Sequence, residues 1–434
     1  MGQANQPNRR LQRAMRGAAV LSIVAVLAAA CSSGSSSSSS APGVTSNSIA
    51  VGSHQPLTGP AAPGYSEIAP AAKAMFQYVN AKGGVNGRSI NYTYEDDAYN
   101  PSQTATVVRK LVLQDNVFAI VNGLGTPTHQ QVQPFLNTEK VPDLFVASGC
   151  VCWNQASKYP QTYGYQTNYQ IEGRILGKYV HDNFAGQKVG FLLQNDDLGQ
   201  GGSNGLSAEI PPADVASKQN YDVSALSSGL GNQMAALQAA GVKVVVGFSI
   251  PAASALALLA AAQIGYHPQW VFSSIDADIT TMSGLVSSFS KGKAGASLLE
   301  GVLTAGYLPS ASDTSNPWVA LYKKIHDQYD SSNPFDANTV YGMSWAYNFI
   351  QVVQKAGKNL SRKSLTDAMN SADLSGPGLL PLTYSSTDHR GYEGEQMAKF
   401  ESGAVKLFGP VYKAIETGSI TSLTTTPPAP PANF

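Results

Sequence analysis

Between residues 48 and 273, short apolar runs alternate with longer stretches whose apolar residues recur at helical spacing. That alternation restricts the chain to mostly parallel sheet with helices on both faces. Residues 48–52, 90–94, 117–121, 142–146, 188–193, 242–248 and 270–273 read as strands. Residues 65–80, 100–113, 170–184, 232–240 and 252–264 read as helices, and another begins near Gly201. The run 242–248 is apolar apart from Lys243, as in a strand covered on both sides. Asn100-Pro101 is a strong helix start, because Asn caps and Pro suits the first turn. Helices at 317–329 and 338–356 follow, then strand-like pieces at 380–383 and 397–400.

In such sheets, ligands sit outside the carboxyl ends of the strands. The rule selects six loops: 55–65, 123–128, 147–153, 195–201, 249–252 and 274–278. They fall into two groups, one per sheet, and a cleft between two lobes would collect both. A length of 434 residues agrees with two or three domains.

The first residues read as an address and not as part of the fold. Arg9, Arg10, Arg13 and Arg16 form a positive region, and 17–30 is an apolar stretch too short to span a bilayer. Paired arginines also raise twin-arginine export, but the pattern around them is poor. The small residues Ala28-Ala29-Ala30 before Cys31 resemble the lipobox of bacterial lipoproteins, which implies cleavage before Cys31 and a lipid on its sulfur. An ordinary secretory leader is the alternative. Residues 31–47 begin with a serine run, read as a flexible tether. Residues 416–434 end in threonine and proline, read as a frayed, disordered tail. Charged residues make up only 13 % of the chain. Without the leader arginines, 24 basic and 28 acidic residues remain, a balance near −4 with no basic footprint for nucleic acid.

Motifs of catalysis are missing. Gly342-Met343-Ser344-Trp345-Ala346 loosely matches a nucleophile elbow, but it lies inside a helical stretch with no strand before it. There is no G-x-x-x-x-G-K loop and no H-E-x-x-H helix, and the six histidines are scattered. No metal or cofactor is expected.

Three blocks carry a family likeness: Val51-Gly52 through Pro56-Leu57-Thr58-Gly59-Pro60; Val79-Asn80-Ala81-Lys82-Gly83-Gly84-Val85-Asn86-Gly87-Arg88; and Glu95-Asp96-Asp97-Ala98. They resemble the leucine/isoleucine/valine-binding proteins, the type I periplasmic binding proteins of ABC importers. The likeness covers about residues 48–415. It implies an α/β fold of two lobes, each a mostly parallel sheet flanked by helices, joined by three crossings near 163–168, 299–307 and 376–382. Lobe 1 would hold 48–166 plus 303–378, and lobe 2 would hold 167–302 plus 379–415. A monomer would capture an amino acid or similar small polar molecule and deliver it to permease subunits, anchored outside the cytoplasm by lipid. The alternative is a sensor that signals through a separate membrane protein.

The resemblance also places a site at Gly125, Thr126, Gly149, Cys150, Ser249 and Asp276. Thr126 stands where the family has a serine for the ligand's carboxylate, and Asp276 lies within about one position of its ammonium-binding acid. Each could instead cap a helix. Val151 lacks the family's hydroxyl; Leu198 replaces a tyrosine, as does Ser249 or Ile250. Aromatics Tyr341, Trp345 and Tyr347, at helical spacing, read as packing. Cys150 and Cys152, in an oxidising compartment, are expected to be bridged.

Overall fold

The computed structural model describes residues 41–434. The leader, Cys31 and the serine run lie outside the described residues. The tether expectation reaches too far: Val44 is buried and bridges Ile49, so 41–47 already packs on the first strand.

One sheet holds β1 (Ser48–Gln55), β2 (Ser89–Asp96), β3 (Ala119–Val121), β4 (Asp143–Val146) and β5 (Thr162–Gly164), all parallel, in the order β2-β1-β3-β4-β5. The second sheet takes β6 (Val189–Gln194), β7 (Val215–Tyr221), β8 (Val244–Phe248), β9 (Gln269–Phe272) and β10 (Leu303–Gly306) in parallel. A small pair, β11 (Asp373–Leu374) and β12 (Leu382–Thr383), stands apart. The strands β13 (Gly394–Glu401), β14 (Ala404–Lys413) and β15 (Thr421–Leu423) then extend the second sheet antiparallel from β10. Each sheet is the floor of one lobe.

The glycines between the first helix and β2 are demanded by geometry. Gly84 has φ +72, and a Cβ there would lie 2.0 Å from the Arg88 carbonyl oxygen. Asn86 and Gly87 also take positive φ, which turns the chain from helix Ile68–Ala81 into β2. Asn100 caps helix Pro101–Leu113 by accepting from the amides of Ser102 and Gln103.

Helix Ala337–Ala356 lies against helix Ile68–Ala81 on the first lobe. A Cβ on Gly342 would sit 2.4 Å from the Ile68 carbonyl oxygen, so the elbow-like glycine serves helix packing. Trp345 fills the space beneath, edge-on to Phe76 and Tyr92.

Three expectations change. The 303–306 segment is a central strand of the second sheet, not part of lobe 1. The run 376–382 does not cross; the third passage is at 389–394, where Gly164 donates to His389 and Tyr392 to the Tyr165 carbonyl before β13 begins. The tail is not loose. β15 pairs with β14, Trp318 Nε1 donates to the Pro428 carbonyl at 2.7 Å, and Phe434 packs on Tyr78 and Tyr347.

Candidate ligand-binding cleft

All six loops chosen by the strand-end rule meet at one cavity of about 360 Å³ between the lobes. They contribute Tyr65, Leu124, Gly125, Ala147, Leu198, Ile250, Ser274 and Asp278 to its wall. This is the size range of sites for small organic ligands, about 300–1,000 Å³.

The cavity is closed by bonds from lobe to lobe. Asp278 Oδ2 accepts from the Ala337 amide at 2.8 Å, and Asn338 donates to the Thr281 hydroxyl at 3.2 Å. On the other side Gln130 donates to Asp197. Gly64 is held between Thr281 and Asn338, where any side chain would collide.

Of the six residues carried over from the family, only Gly125 reaches the cavity wall. Thr126 begins helix Thr126–Thr138, is buried, and shares a 2.7 Å hydrogen bond with the Ser148 hydroxyl. Ser148 also lies 3.5 Å from the Tyr169 hydroxyl of the second lobe. The Gly149 carbonyl accepts from the Tyr169 amide at 2.7 Å. Cys150 and Cys152 are joined, with Cα atoms 5.1 Å apart. Their sulfurs lie near Asp197 in the spacing of metal ligands, but sulfurs bonded to each other are not thiolate donors. The Ser249 hydroxyl bonds to Ser254 at 2.7 Å. Asp276 is fully buried behind the wall, accepting from Ser254 at 2.6 Å. Burial holds its carboxyl well above the usual range.

Sequence reasoning missed several wall residues. Tyr341, read as packing, lines the cavity. So do Tyr99, Tyr169 and Tyr307, whose hydroxyl pKa values are all pushed up by burial. Asp278 and Asp336 line it too, each as the cap of a helix. The pattern Asp-x-x-Thr at 278–281 and again at 336–339 was the available signal. Glu67 faces Asp336 across a short gap. Burial, then the neighbouring acids Asp336, Asp278 and Asp330, push its carboxyl up to about 9.

The profile of the periplasmic binding protein family matches residues 48–404. The chain belongs to that family. Among its relatives is a Leu/Ile/Val-binding protein homolog 2 of Brucella abortus, 25 % identical over 328 residues, covering 73 % of this chain and 81 % of the relative. Two solved structures share the fold. A fatty acid ABC transporter substrate-binding protein from Thermomonospora curvata has a TM-score of 0.74 at 19 % identity, covering 87 % of this chain and 95 % of that one. A branched chain amino acid ABC transporter from Thermus thermophilus with bound valine has a TM-score of 0.73 at 16 % identity, covering 86 % and 98 %. The two-lobe type I fold and the likeness to leucine/isoleucine/valine-binding proteins therefore stand together. The periplasmic binding proteins bind small solutes outside the cytoplasm, and the interlobe cavity is where this one has room for a solute.

Proposed function

We propose that this periplasmic binding protein is the solute-capturing subunit of an ABC importer. It is held at the membrane by lipid on Cys31 and hands its ligand, as a single chain, to permease subunits. The observation that carries the reading is the cavity closed by the Asp278–Ala337 bond between lobes. A ligand touching both lobes favours the closed form by its extra contacts there, and closure is the form a permease can recognise. The serine run after Cys31 supplies the reach from anchor to folded body. Two acyl chains hold where one does not. The relatives bind branched-chain amino acids or a fatty acid by name, so amino acids and similar small molecules are the first ligands to screen, and the fold by itself selects none of them.

The test has two parts. Cys31→Ala should be left unprocessed or lost from the membrane fraction; cleavage with wild-type membrane retention would remove the anchor. Saturating ligand, once found by melting-temperature screening, should reduce the radius of gyration in small-angle scattering. An unchanged radius would count against capture by closure.

A further inference from the structure

An α-amino acid ligand brings two opposite charges, and both must be met once water is excluded. The wall of this cavity contains no Lys, Arg or His to meet a carboxylate. The buried second-lobe acid Asp276 is sealed behind the wall on Ser254. Each oxygen of Asp278 is already engaged by a main-chain amide, of Thr281 and of Ala337. Asp336 spends one oxygen on the Thr339 amide and turns toward Glu67, which brings a proton of its own to the pair. Leu198 and Ile250 present hydrocarbon to the cavity. The described wall thus offers a carboxylate no cation, and its two acids are already engaged by main-chain amides.

The wall offers instead a group of tyrosine hydroxyls and an apolar arm. The centre between the lobes carries Tyr65, Tyr99 and Tyr169. From there the cavity runs over β10 onto the β13–β14 hairpin, where Ala398 pairs with Leu407 and Phe400 with Val405. The loop after β10 covers this arm with Leu308 and Pro309 and is tied down by Ser310, whose hydroxyl donates to the Val405 carbonyl at 2.6 Å.

We propose that the ligand is an elongated, mostly apolar molecule with one uncharged polar head. The head sits among Tyr65, Tyr99 and Tyr169, and the chain lies along Leu308, Val405 and Leu407. This rests on the solute-binding reading above and names the class of solute.

Calorimetry on the intact folded chain with butanamide, hexanamide, octanamide and decanamide tests it, with L-leucine, decanoate and decylamine alongside. Each added methylene should tighten binding about fourfold until the arm is full. Decanamide should bind more tightly than L-leucine and than either charged analogue. Leu407→Asp and Leu308→Asp, both at partly exposed positions, should remove the gain in affinity with chain length. The melting temperature of each unliganded variant checks that it is folded. A flat series, or L-leucine binding more tightly than decanamide, overturns the proposal and leaves the protein a solute binder. Tighter binding of decanoate or decylamine overturns the uncharged head. Silence from every probe overturns the proposal too; capture of a charged compound from a cell extract would then keep the solute-binding reading, and capture of nothing would remove both.

Discussion

Asp278 Oδ2 accepts the main-chain N–H of Ala337 at 2.8 Å, and the two residues belong to opposite lobes. The other oxygen of Asp278 accepts from Thr281 in its own helix. One carboxylate thus joins the N-termini of two helices, where unpaired amides and the helix dipoles both favour negative charge. The bond to Ala337 exists only when the lobes are together. Asp278→Ala removes a hydrogen bond to a charged group, a loss of about 1.5–3 kcal/mol. Ligand affinity should fall roughly ten- to a hundredfold. Calorimetry of the variant checks it, and unchanged affinity would show that the bond does not contribute to closure.

Glu67, Asp336 and Asp278 make stability depend on pH. The Glu67 carboxyl is pushed up to about 9 by burial first and the neighbouring acids second, and Asp336, by burial and Asp278, to about 6. Both folded values exceed those of the unfolded chain, so the folded protein holds more protons. The stabilisation is complete below the ordinary carboxylate range and drains away as pH rises through 6 and on to 9. The melting temperature should therefore fall between pH 6 and pH 9. Glu67→Gln, which keeps a donor without a titrating proton, should flatten that fall and raise the melting temperature at pH 8. Parallel curves for variant and wild type would contradict the assignment.

Beneath the cleft floor a buried chain of side chains crosses the first lobe. Asp97 meets His54 at 2.7 Å, His54 meets His129 at 2.9 Å, and His129 meets Asp143 at 2.9 Å. Thr104 and Thr162 donate to the two carboxylates. Gly123 lies over both rings, where a Cβ would be 2.5 Å from each. The network fixes the loop that ends in Gly125. His129→Leu leaves the buried Asp143 carboxylate with Thr162 and the His54 ring with Asp97, each short of its imidazole partner, a loss of about 3–5 kcal/mol. Denaturant unfolding should show that loss although His129 does not line the cavity. A cost below about 1 kcal/mol would mean the network adds little.

Asp276 separates two accounts of the pocket. Burial holds its carboxyl well above the usual range, and Ser254 donates to it behind the cavity wall. Asp276→Asn should therefore leave affinity for the true ligand within about twofold, since the side chain does not line the cavity. If the residue instead pairs with a ligand ammonium, the same change should weaken binding at least tenfold, at about 1.4 kcal/mol per decade. Titration calorimetry distinguishes the two.

The sequence placed the cleft better than it placed the side chains in it. Strand ends are readable because apolar runs stop abruptly, and the sheet rule then points to the loops; all six reached the cavity. Which residue of a loop faces inward depends on turn pitch. Residues Ser274–Asp276 form a single tight turn that tucks Asp276 away and leaves Asp278 in the wall. Polar strands were harder to see. β7 alternates half-buried and exposed positions along Val-Ala-Ser-Lys-Gln-Asn before the buried Tyr221, and carries few apolar residues. The tail was misread for a different reason. Its composition forbids a helix, but its order comes from partners far away in sequence, at Trp318, Tyr78 and Tyr347.

The central claim is that the cleft holds one small molecule and does not change it. The direct measurement is capture: the purified chain is exposed to the small-molecule fraction of a cell extract, separated from unbound material and unfolded, and the released compounds are weighed by mass spectrometry before and after prolonged incubation. The account predicts one dominant compound class, near one molecule per chain, with the same mass at both times. Release of a chemically altered compound, or of nothing above a control protein, would contradict it.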